Sequence, residues 1–383
     1  MVRATRVLIW CPKYLPELGG QQWSTHRLLC QLRRLGYSVT AVAPRKIGMH
    51  STDRHLGVVR IAGNGSDFVS RSADYVLRQD FDVLHCVDLF EEAAPAQFTT
   101  IRSLAAKGIP TIVRIPTQGT LTRSVGDHLL AKELGAVSSF VVLNRAMRRE
   151  LIDLGVARAR VRYIPNGIDT FKFRPGNSSW KQRVRADLAI PRDAVVLIYL
   201  GRNAGRKRID VLLSTFRRLT LDNLYLLIVG YDLAAEPDDV TVLKAGAEND
   251  PRIRLVKGTE NPRNYLWAAD IFVLLSEREG QPNALIEALS CGLPVIGTAI
   301  PGIVECVQDG AEGVLVPVGN VEATASAIGR LVSDGQTRRN MSRVARQRAL
   351  REHALPDMAR SYGEVYLQAI DWARTSSDGK TES

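Results

Sequence analysis

Two glutamates, Glu279 and Glu287, stand with seven residues between them in the stretch SEREGQPNALIEALSCGLPVIGT, residues 276–298. A carboxylate accepts two hydroxyl hydrogen bonds, which is what a sugar or a ribose offers. Gly280, Gln281, Pro282 and Asn283 lead from the first glutamate into ALIEALSC. Proline and asparagine suit a helix start, so free backbone N–H groups fall near these residues and can take a phosphate or a sugar hydroxyl. The plainer alternative makes Glu279 a surface charge and Glu287 a helix-face carboxylate. Glu287, however, lies in the otherwise apolar run 284–289, where burial without a partner is costly. A second group is Gly201-Arg202-Asn203-Ala204-Gly205-Arg206-Lys207. Glycine lets a ligand approach the backbone, and Arg202 and Lys207 can neutralise a diphosphate, one as a fork and one as a point charge. Its bland alternative is a solvated basic loop in a chain with 51 Lys and Arg. The third group, Gly19-Gly20, is half of a dinucleotide fingerprint and fits a plain tight turn as well.

These groups need elements to hold them. Residues 7–10 form an apolar strand, CPKYLPELGGQQ a turn-rich loop, residues 21–35 an amphipathic helix with Trp23, Leu28, Leu29, Leu32 and Leu35 on its apolar face, and 39–43 a second strand. Further strands over 81–85, 110–115 and 139–143 and a helix over 145–154 make the first half α/β with a parallel sheet. VRYIPNGIDTFKFRP, residues 161–175, breaks this rhythm and reads as a hinge. A second α/β series follows. Its strands fall at 195–200, 224–229, 252–256, 271–275 and 295–297, and its helices at 321–332 and 337–351. Pro356 opens a last helix carrying Met358, Tyr362, Val365, Tyr366 and Ile370. The expected division is 1–172 completed by 356–372, then 173–355, with 373–383 as a polar, disordered tail. Ligands in open α/β sheets bind beyond the carboxyl ends of the strands.

Two domains suit 383 residues, and 45% hydrophobic with 24% charged residues suits a soluble globular protein. No apolar run reaches the ~20 residues of a membrane span, and the N-terminal MVRATRVLIW reads as a strand rather than a signal peptide. Five scattered cysteines with no C-x-x-C argue for reduced thiols and a cytoplasmic place, not zinc or disulfides. The net charge of +11 is uneven: residues 1–170 carry 23 Lys/Arg against 14 Asp/Glu, or +9. That imbalance suits an anionic partner or simply an arginine-rich surface. A binder of nucleic acid or of an anionic surface is one alternative, although no run of interleaved basic and aromatic residues supports nucleic acid.

Taken together, Gly-Gly in the first loop, YIPNGID before the hinge, GR…RK opening the second domain, and the E-x7-E block with its flanks resemble glycosyltransferase family 4, over roughly residues 5–372. The resemblance implies the GT-B fold: two Rossmann-like domains facing a cleft, the last helix crossing back to the first domain. It implies a retaining, metal-independent transfer from a nucleotide diphosphate sugar, UDP- or GDP-linked by family habit, with no cofactor. Arg202 and Lys207 match the diphosphate pair, Glu287 the ribose carboxylate and Glu279 the carboxylate on donor sugar hydroxyls. The catalytic set is then Arg202, Lys207 and Glu279. The donor site adds Gly19, Gly20, Gly201, Gly280, Gln281, Pro282, Asn283 and Glu287. A two-carboxylate hydrolase is disfavoured, because one glutamate is committed to ribose. There is one departure: where many members carry a histidine, this chain has Pro116, Thr117 and Gln118. Thr117, Gln118 and the Gly119 N–H then become candidates for the sugar or acceptor site, with His85 at a strand end as another. The acceptor, whether glycan, lipid-linked or small molecule, is expected at the first domain, whose loops carry Tyr14, Gln21, Trp23, His85, Asp88 and Phe90. Its positive charge allows peripheral contact at the inner membrane face. A GT-B scaffold that binds sugar nucleotide without catalysis is the other alternative, prompted by the missing histidine.

Overall fold

The computed structural model describes residues 3–46, 49–53, 56–89, 93–121, 130–233, 237–248 and 250–378. By its contacts the chain divides into two units. One comprises Met1–Glu17, Gln21–Gly167 and Leu355–Ser383, the other Leu18–Gly20 and Ile168–Ala354.

The first unit is built on β1 (Arg6–Trp10), β2 (Ser38–Arg45), β3 (Thr52–Asp53), β4 (Val58–Ala62), β5 (Val83–Val87), β6 (Thr111–Ile115), β7 (Ser139–Val142) and β8 (Val161–Tyr163). They lie in the order β3-β4-β2-β1-β5-β6-β7-β8, parallel throughout except for the β3–β4 pair. The central strand β1 is buried on both faces: Leu8 and Trp10 enter one apolar cluster, Val7 and Ile9 the other. The helix Gly20–Arg34 places Leu28, Leu29 and Leu32 in the core. It stops at Gly36, where φ is +89° and the Tyr37 N–H closes back onto the Leu32 carbonyl. Leu35 follows the last helical residue, Arg34, and is exposed, against the sequence expectation.

The final helix, Leu355–Asp378, packs Met358, Tyr362, Tyr366 and Ile370 into the first unit. It extends past residue 372, so most of the expected polar tail is helical; residues 379–383 lie outside the described residues. The expected strand over 81–85 falls instead at Val83–Val87. Asp82 is held just before it, accepting from the Arg6 N–H at 2.7 Å and from the Arg6 guanidinium at 2.9 Å. His85 therefore lies inside β5 and not at its end. It has no exposed surface, stacks on Tyr362 and shares a 2.7 Å hydrogen bond between Nδ1 and the Tyr366 hydroxyl. It is a core residue of the first unit, and no solute reaches it in this structure.

The second unit holds β9 (Val195–Leu200), β10 (Leu224–Val229), β11 (Ile253–Val256), β12 (Ile271–Leu274), β13 (Val295–Thr298) and β14 (Gly313–Val316). All pairs are parallel, in the order β11-β10-β9-β12-β13-β14. Strands such as VVLIYL and LYLLIV are apolar along their length, as a sheet covered on both faces requires. The chain runs outward from β9 in one direction to β11, then returns to β12 on its other side. The loops after β9 and β12 thus leave the carboxyl edge at the switch point where an open sheet binds ligands. The units divide before Ile168, earlier than residue 172. Ile168 and Phe173 are buried in the second core, and the Ile168 N–H donates to the His353 carbonyl at 2.8 Å.

His85 makes stability depend on pH. Burial, with Arg114 adding charge repulsion, pushes its imidazole down to about 3. An unfolded histidine takes up its proton near ~6.5. Between these values the unfolded chain binds more protons than the folded one, so stability falls as pH drops through the window. Urea titrations of the wild type and His85→Phe are expected to differ in slope there by up to ~1.4 kcal/mol per pH unit, the variant being flatter. Equal slopes would remove His85 as the cause.

Candidate active site

The loop after β9 is shaped by close backbone approaches. Gly230, at φ +92°, ends β10 so near the Gly201 carbonyl that an added Cβ would lie 2.6 Å from its oxygen. The Tyr199 hydroxyl donates to the Arg202 carbonyl at 2.8 Å, and the buried Asn203 donates its N–H to Leu233 at 3.1 Å. The loop does not run straight into a helix as expected. It ends in a single 3-10 turn, Gly205–Lys207, and Arg208 then takes a left-handed conformation (φ +51°) before the helix Ile209–Arg218. Arg208 is held by Asp210 and Glu277 at 3.0 and 2.6 Å. Arg202 is exposed.

Lys207 reaches the loop after β12, where its Nζ pairs with Glu279 Oε1. Arg206 joins from the same turn: its guanidinium lies 3.5 Å from Glu279 Oε2 and donates to the Arg278 carbonyl at 3.0 Å. The Ser276 hydroxyl donates to Glu279 Oε1 at 2.8 Å, and Thr298 Oγ1 donates to the Ser276 carbonyl at 2.5 Å. Burial by itself would raise the Glu279 pKa. Lys207 and then Arg206 outweigh it and hold the carboxyl below its ordinary value. Sequence reasoning singled out neither Arg206 nor Ser276. Arg206 was visible as one of three consecutive basic residues, and Ser276 stood three residues before the glutamate.

Gly280, Gln281 and Pro282 are buried, and the helix Asn283–Ser290 begins after Pro282. The Leu285 and Ile286 N–H groups donate to the Pro282 carbonyl at 3.2 and 3.3 Å, so only those of Asn283 and Ala284 precede the helix's own bonds. The segment Leu18–Gly20 groups by its contacts with this unit, where Asn283 Nδ2 donates to the Gly20 carbonyl at 2.7 Å. Glu287 is 7% exposed, among buried Leu285, Ile286, Ala288 and Leu289. Gly302, which sequence reasoning also missed, sets the depth of the Glu279 loop. A Cβ there would lie 2.5 Å from the Glu279 carbonyl oxygen and 2.7 Å from that of Gly280. The Pro301-Gly302 pair after β13 was its only sign.

The remaining candidates lie in the first unit. Thr117, Gln118 and Gly119 form a half-buried turn after β6, with Thr120 Oγ1 donating to the Thr117 carbonyl at 2.7 Å. The Gly119 N–H is committed to the Glu150 carboxylate, at 2.9 and 3.2 Å, and so does not face a ligand as expected. Asp88 takes a left-handed conformation, φ +77°, just after β5, with Gln21 Nε2 3.4 Å from its carboxylate. Phe90 lies outside the described residues. Among the described residues no group of three or more His, Cys, Asp and Glu could hold a metal, and no helix is long and apolar enough to cross a membrane.

Two Rossmann-like α/β units, one carrying a basic loop against an ionised glutamate at its sheet's switch point, define the GT-B class. Glycosyl transferases group 1 match residues 181–348, and Glycosyltransferase Family 4 matches residues 18–172. D-inositol 3-phosphate glycosyltransferase 1 of Catenulispora acidiphila is 31% identical over 315 residues, spanning 76% of this chain and 71% of that protein. N-acetyl-alpha-D-glucosaminyl L-malate synthase of Bacillus anthracis is 23% identical over 325 residues, 81% and 80% of the two chains. Among solved structures, Anabaena HepE in complex with UDP-glucose superposes with a TM-score of 0.78 at 15% identity over 95% of this chain and 99% of that one. WaaG, a glycosyltransferase involved in lipopolysaccharide biosynthesis, gives 0.72 at 16% over 94% and 99%. The chain belongs to glycosyltransferase family 4 and is a glycosyltransferase.

The Lys207–Glu279 pair is nearly buried, and removing one member leaves the other charge without its partner. Glu279→Gln is expected to cost ~3–5 kcal/mol in urea unfolding. Adding Lys207→Met to it should recover much of that loss. Costs that simply add would mean the two side chains do not act as a pair.

Proposed function

We propose that this chain moves a sugar from a nucleotide diphosphate sugar to an acceptor hydroxyl, with retention of anomeric configuration and without a metal or other cofactor. The observation that carries this is the state of Glu279: nearly buried, ionised and bonded to Lys207 and Arg206. A carboxyl held below its ordinary pKa is a poor general acid, which argues against a two-carboxylate hydrolase. It is a good acceptor for sugar hydroxyls. Lys207, Arg206 and the exposed Arg202 together exceed its single negative charge and suit the diphosphate. As the glycosidic bond breaks, negative charge grows on that leaving group, and cations already in position stabilise it more than water does. The acceptor attacks from the leaving-group face, so no protein nucleophile is needed. Glu287 is assigned to the ribose, and the first-turn amides after Pro282 to donor oxygens.

HepE has been crystallised with UDP-glucose, which supports a UDP-linked donor; a GDP-linked one remains in the test panel. The relatives' names contain D-inositol 3-phosphate and L-malate, both small anionic hydroxyl compounds. The acceptor is accordingly a small anionic molecule or an anionic lipid headgroup, met at the first unit, residues 1–170 carrying a charge of +9, and not a nucleic acid. The protein acts in the cytoplasm, with peripheral membrane contact where the acceptor is a lipid. Binding without catalysis is the second reading, favoured by Pro116, Thr117 and Gln118 where a histidine is common.

The test is nucleotide release and product formation with UDP- and GDP-sugars in the presence of a chelator. Lys207→Ala is expected to lower kcat by ~10²–10³-fold, and Glu287→Ala to raise the donor KM about tenfold or more. Proton NMR of the product should show the donor's anomeric configuration preserved. Unchanged turnover in both variants, or loss of activity with the chelator, would defeat the proposal. Stabilisation by nucleotide without any product would select the non-catalytic reading.

A further inference from the structure

A separate cavity of about 300 Å³ opens within the first unit, walled by Lys13, Tyr14, Glu17, Lys46, Arg60 and Asn64. Its walls come from the segments that leave β1, β2 and β4, three parallel neighbours, so it lies at the carboxyl edge of that sheet. Three of the side chains are cationic. The carboxylate on the wall, Glu17, accepts from Gln22 Nε2 at 3.1 Å.

Arg60 is the informative member. It sits within β4 at 7% exposure, its guanidinium 5.4 Å over the Tyr14 ring and one NH1 donating to the Pro44 carbonyl at 3.3 Å. Among the described residues no carboxylate forms an ion pair with it. Asp53, the acid that acts on it, does so only at longer range, and its Oδ1 accepts from the Leu56 N–H. An arginine keeps its charge when buried, and a buried charge without an opposite one is costly. The cavity beside it is where that opposite charge can enter.

The helix Gly65–Arg78 starts in the same wall. The Asn64 side chain makes no capping hydrogen bond, but the first turn carries its own carboxylate, Asp67, paired with Arg71 at 2.6 Å. The Phe68 N–H donates to the Asn64 carbonyl at 3.3 Å, so the anion site rests on the side-chain cations and not on this helix end. The turn before it depends on glycine: at Gly63, φ +117°, a Cβ would lie 2.5 Å from Asp67 Oδ2 and 2.8 Å from the Phe68 nitrogen. A nearly buried guanidinium and two lysines around one small space match a tetrahedral, multiply charged anion better than a neutral hydroxyl compound.

We infer that this cavity binds a phosphate monoester carried by the acceptor, with Arg60 as its principal ligand and Lys13 and Lys46 beside it. Its volume is at the small end of ligand sites and suits a compact phosphorylated polyol or a single headgroup. The inference rests on the proposed transferase reading for calling the ligand an acceptor, but the anion site itself does not.

The full chain is titrated calorimetrically with glycerol 3-phosphate, with glycerol and, separately, with UDP. Glycerol 3-phosphate is expected to bind and glycerol not to bind. Arg60→Gln is expected to weaken glycerol 3-phosphate binding about tenfold or more while leaving UDP affinity unchanged. Since Arg60 also packs on Tyr14, the double variant Lys13→Gln/Lys46→Gln provides a second measurement, expected to weaken the phosphate ester in the same direction with UDP again unaffected. Glycerol 3-phosphate binding that is absent, or equal in all variants, overturns the inference. If UDP fails to bind wild type while the ester still binds through Arg60, the donor reading falls and the anion site stands. Sedimentation with vesicles containing phosphatidic acid, whose headgroup is a phosphate monoester, separates the sources. Arg60-dependent attachment identifies a lipid phosphate, and Arg60-dependent binding of the soluble ester alone identifies a free acceptor. Vesicle attachment indifferent to Arg60, with no binding of the soluble ester, again overturns the inference.

Discussion

A carboxylate that is nine-tenths buried keeps its charge only if cations lie against it. At Glu279 the cations come from another loop altogether: Lys207 and Arg206 leave β9, while Glu279 follows β12. The two strands are neighbours, with Ile271 opposite Leu197 and Phe272 opposite Ile198. The ion pair therefore ties together the two loops that emerge at the switch point of the second sheet. Two glycines permit the approach. Gly230 lets β10 end against Gly201, and Gly302 lets the Pro301 turn close under Glu279 and Gly280. A side chain at either place would meet a backbone oxygen rather than a movable atom, so the position of the pair is set by backbone contacts.

The arithmetic of charge at that point bears on chemistry. One carboxylate faces Lys207 and Arg206, with Arg202 exposed nearby in sequence. A structural ion pair would need only one cation. The surplus leaves a positive region at the mouth of a sheet, where an anion gains both from the side chains and from helix N–H groups. Glu279 then has two effects that do not conflict. It holds Lys207 in place, and its oxygens remain hydrogen-bond acceptors beside a cluster of cations.

The strands of both sheets were legible because buried parallel strands must be apolar along their length, as VVLIYL and LYLLIV are. The E-x7-E stretch was legible for a local reason too: loop, helix start and strand follow one another within 276–298. What failed to show were partners far apart in the chain. Arg206 and Glu279 are separated by 73 positions, and the bond exists only because β9 and β12 are adjacent. Gly119 looked free in sequence, but Glu150, on the helix Arg145–Asp153, takes its N–H. His85 looked like a strand-end residue because Asp82 was counted into the strand. The Arg6–Asp82 bonds move the strand forward, and Tyr366, 281 positions away, supplies the partner of the imidazole.

The buried arginines of this chain divide by how they are satisfied. Arg185, 3% exposed, pairs with Asp270 at 2.7 Å and donates to the carbonyls of Ala268, Arg192 and Ala194. Its charge and its donors are used by the protein itself, so it is structural. Arg114, 3% exposed, donates to Ser24 Oγ and Asn166 Oδ1 within the first unit and leaves its Nε buried without a partner. Arg60 differs from both. Its partners are one carbonyl and the face of a ring, and although the residue is only 7% exposed its remaining guanidinium nitrogens keep contact with solvent. A guanidinium has five N–H donors, and those of Arg60 that bond neither acid nor backbone are not sealed in the core but open to the adjoining cavity. An anion entering that cavity meets those donors and the two lysines, which is why the proposed phosphate is placed there and not on the general surface charge.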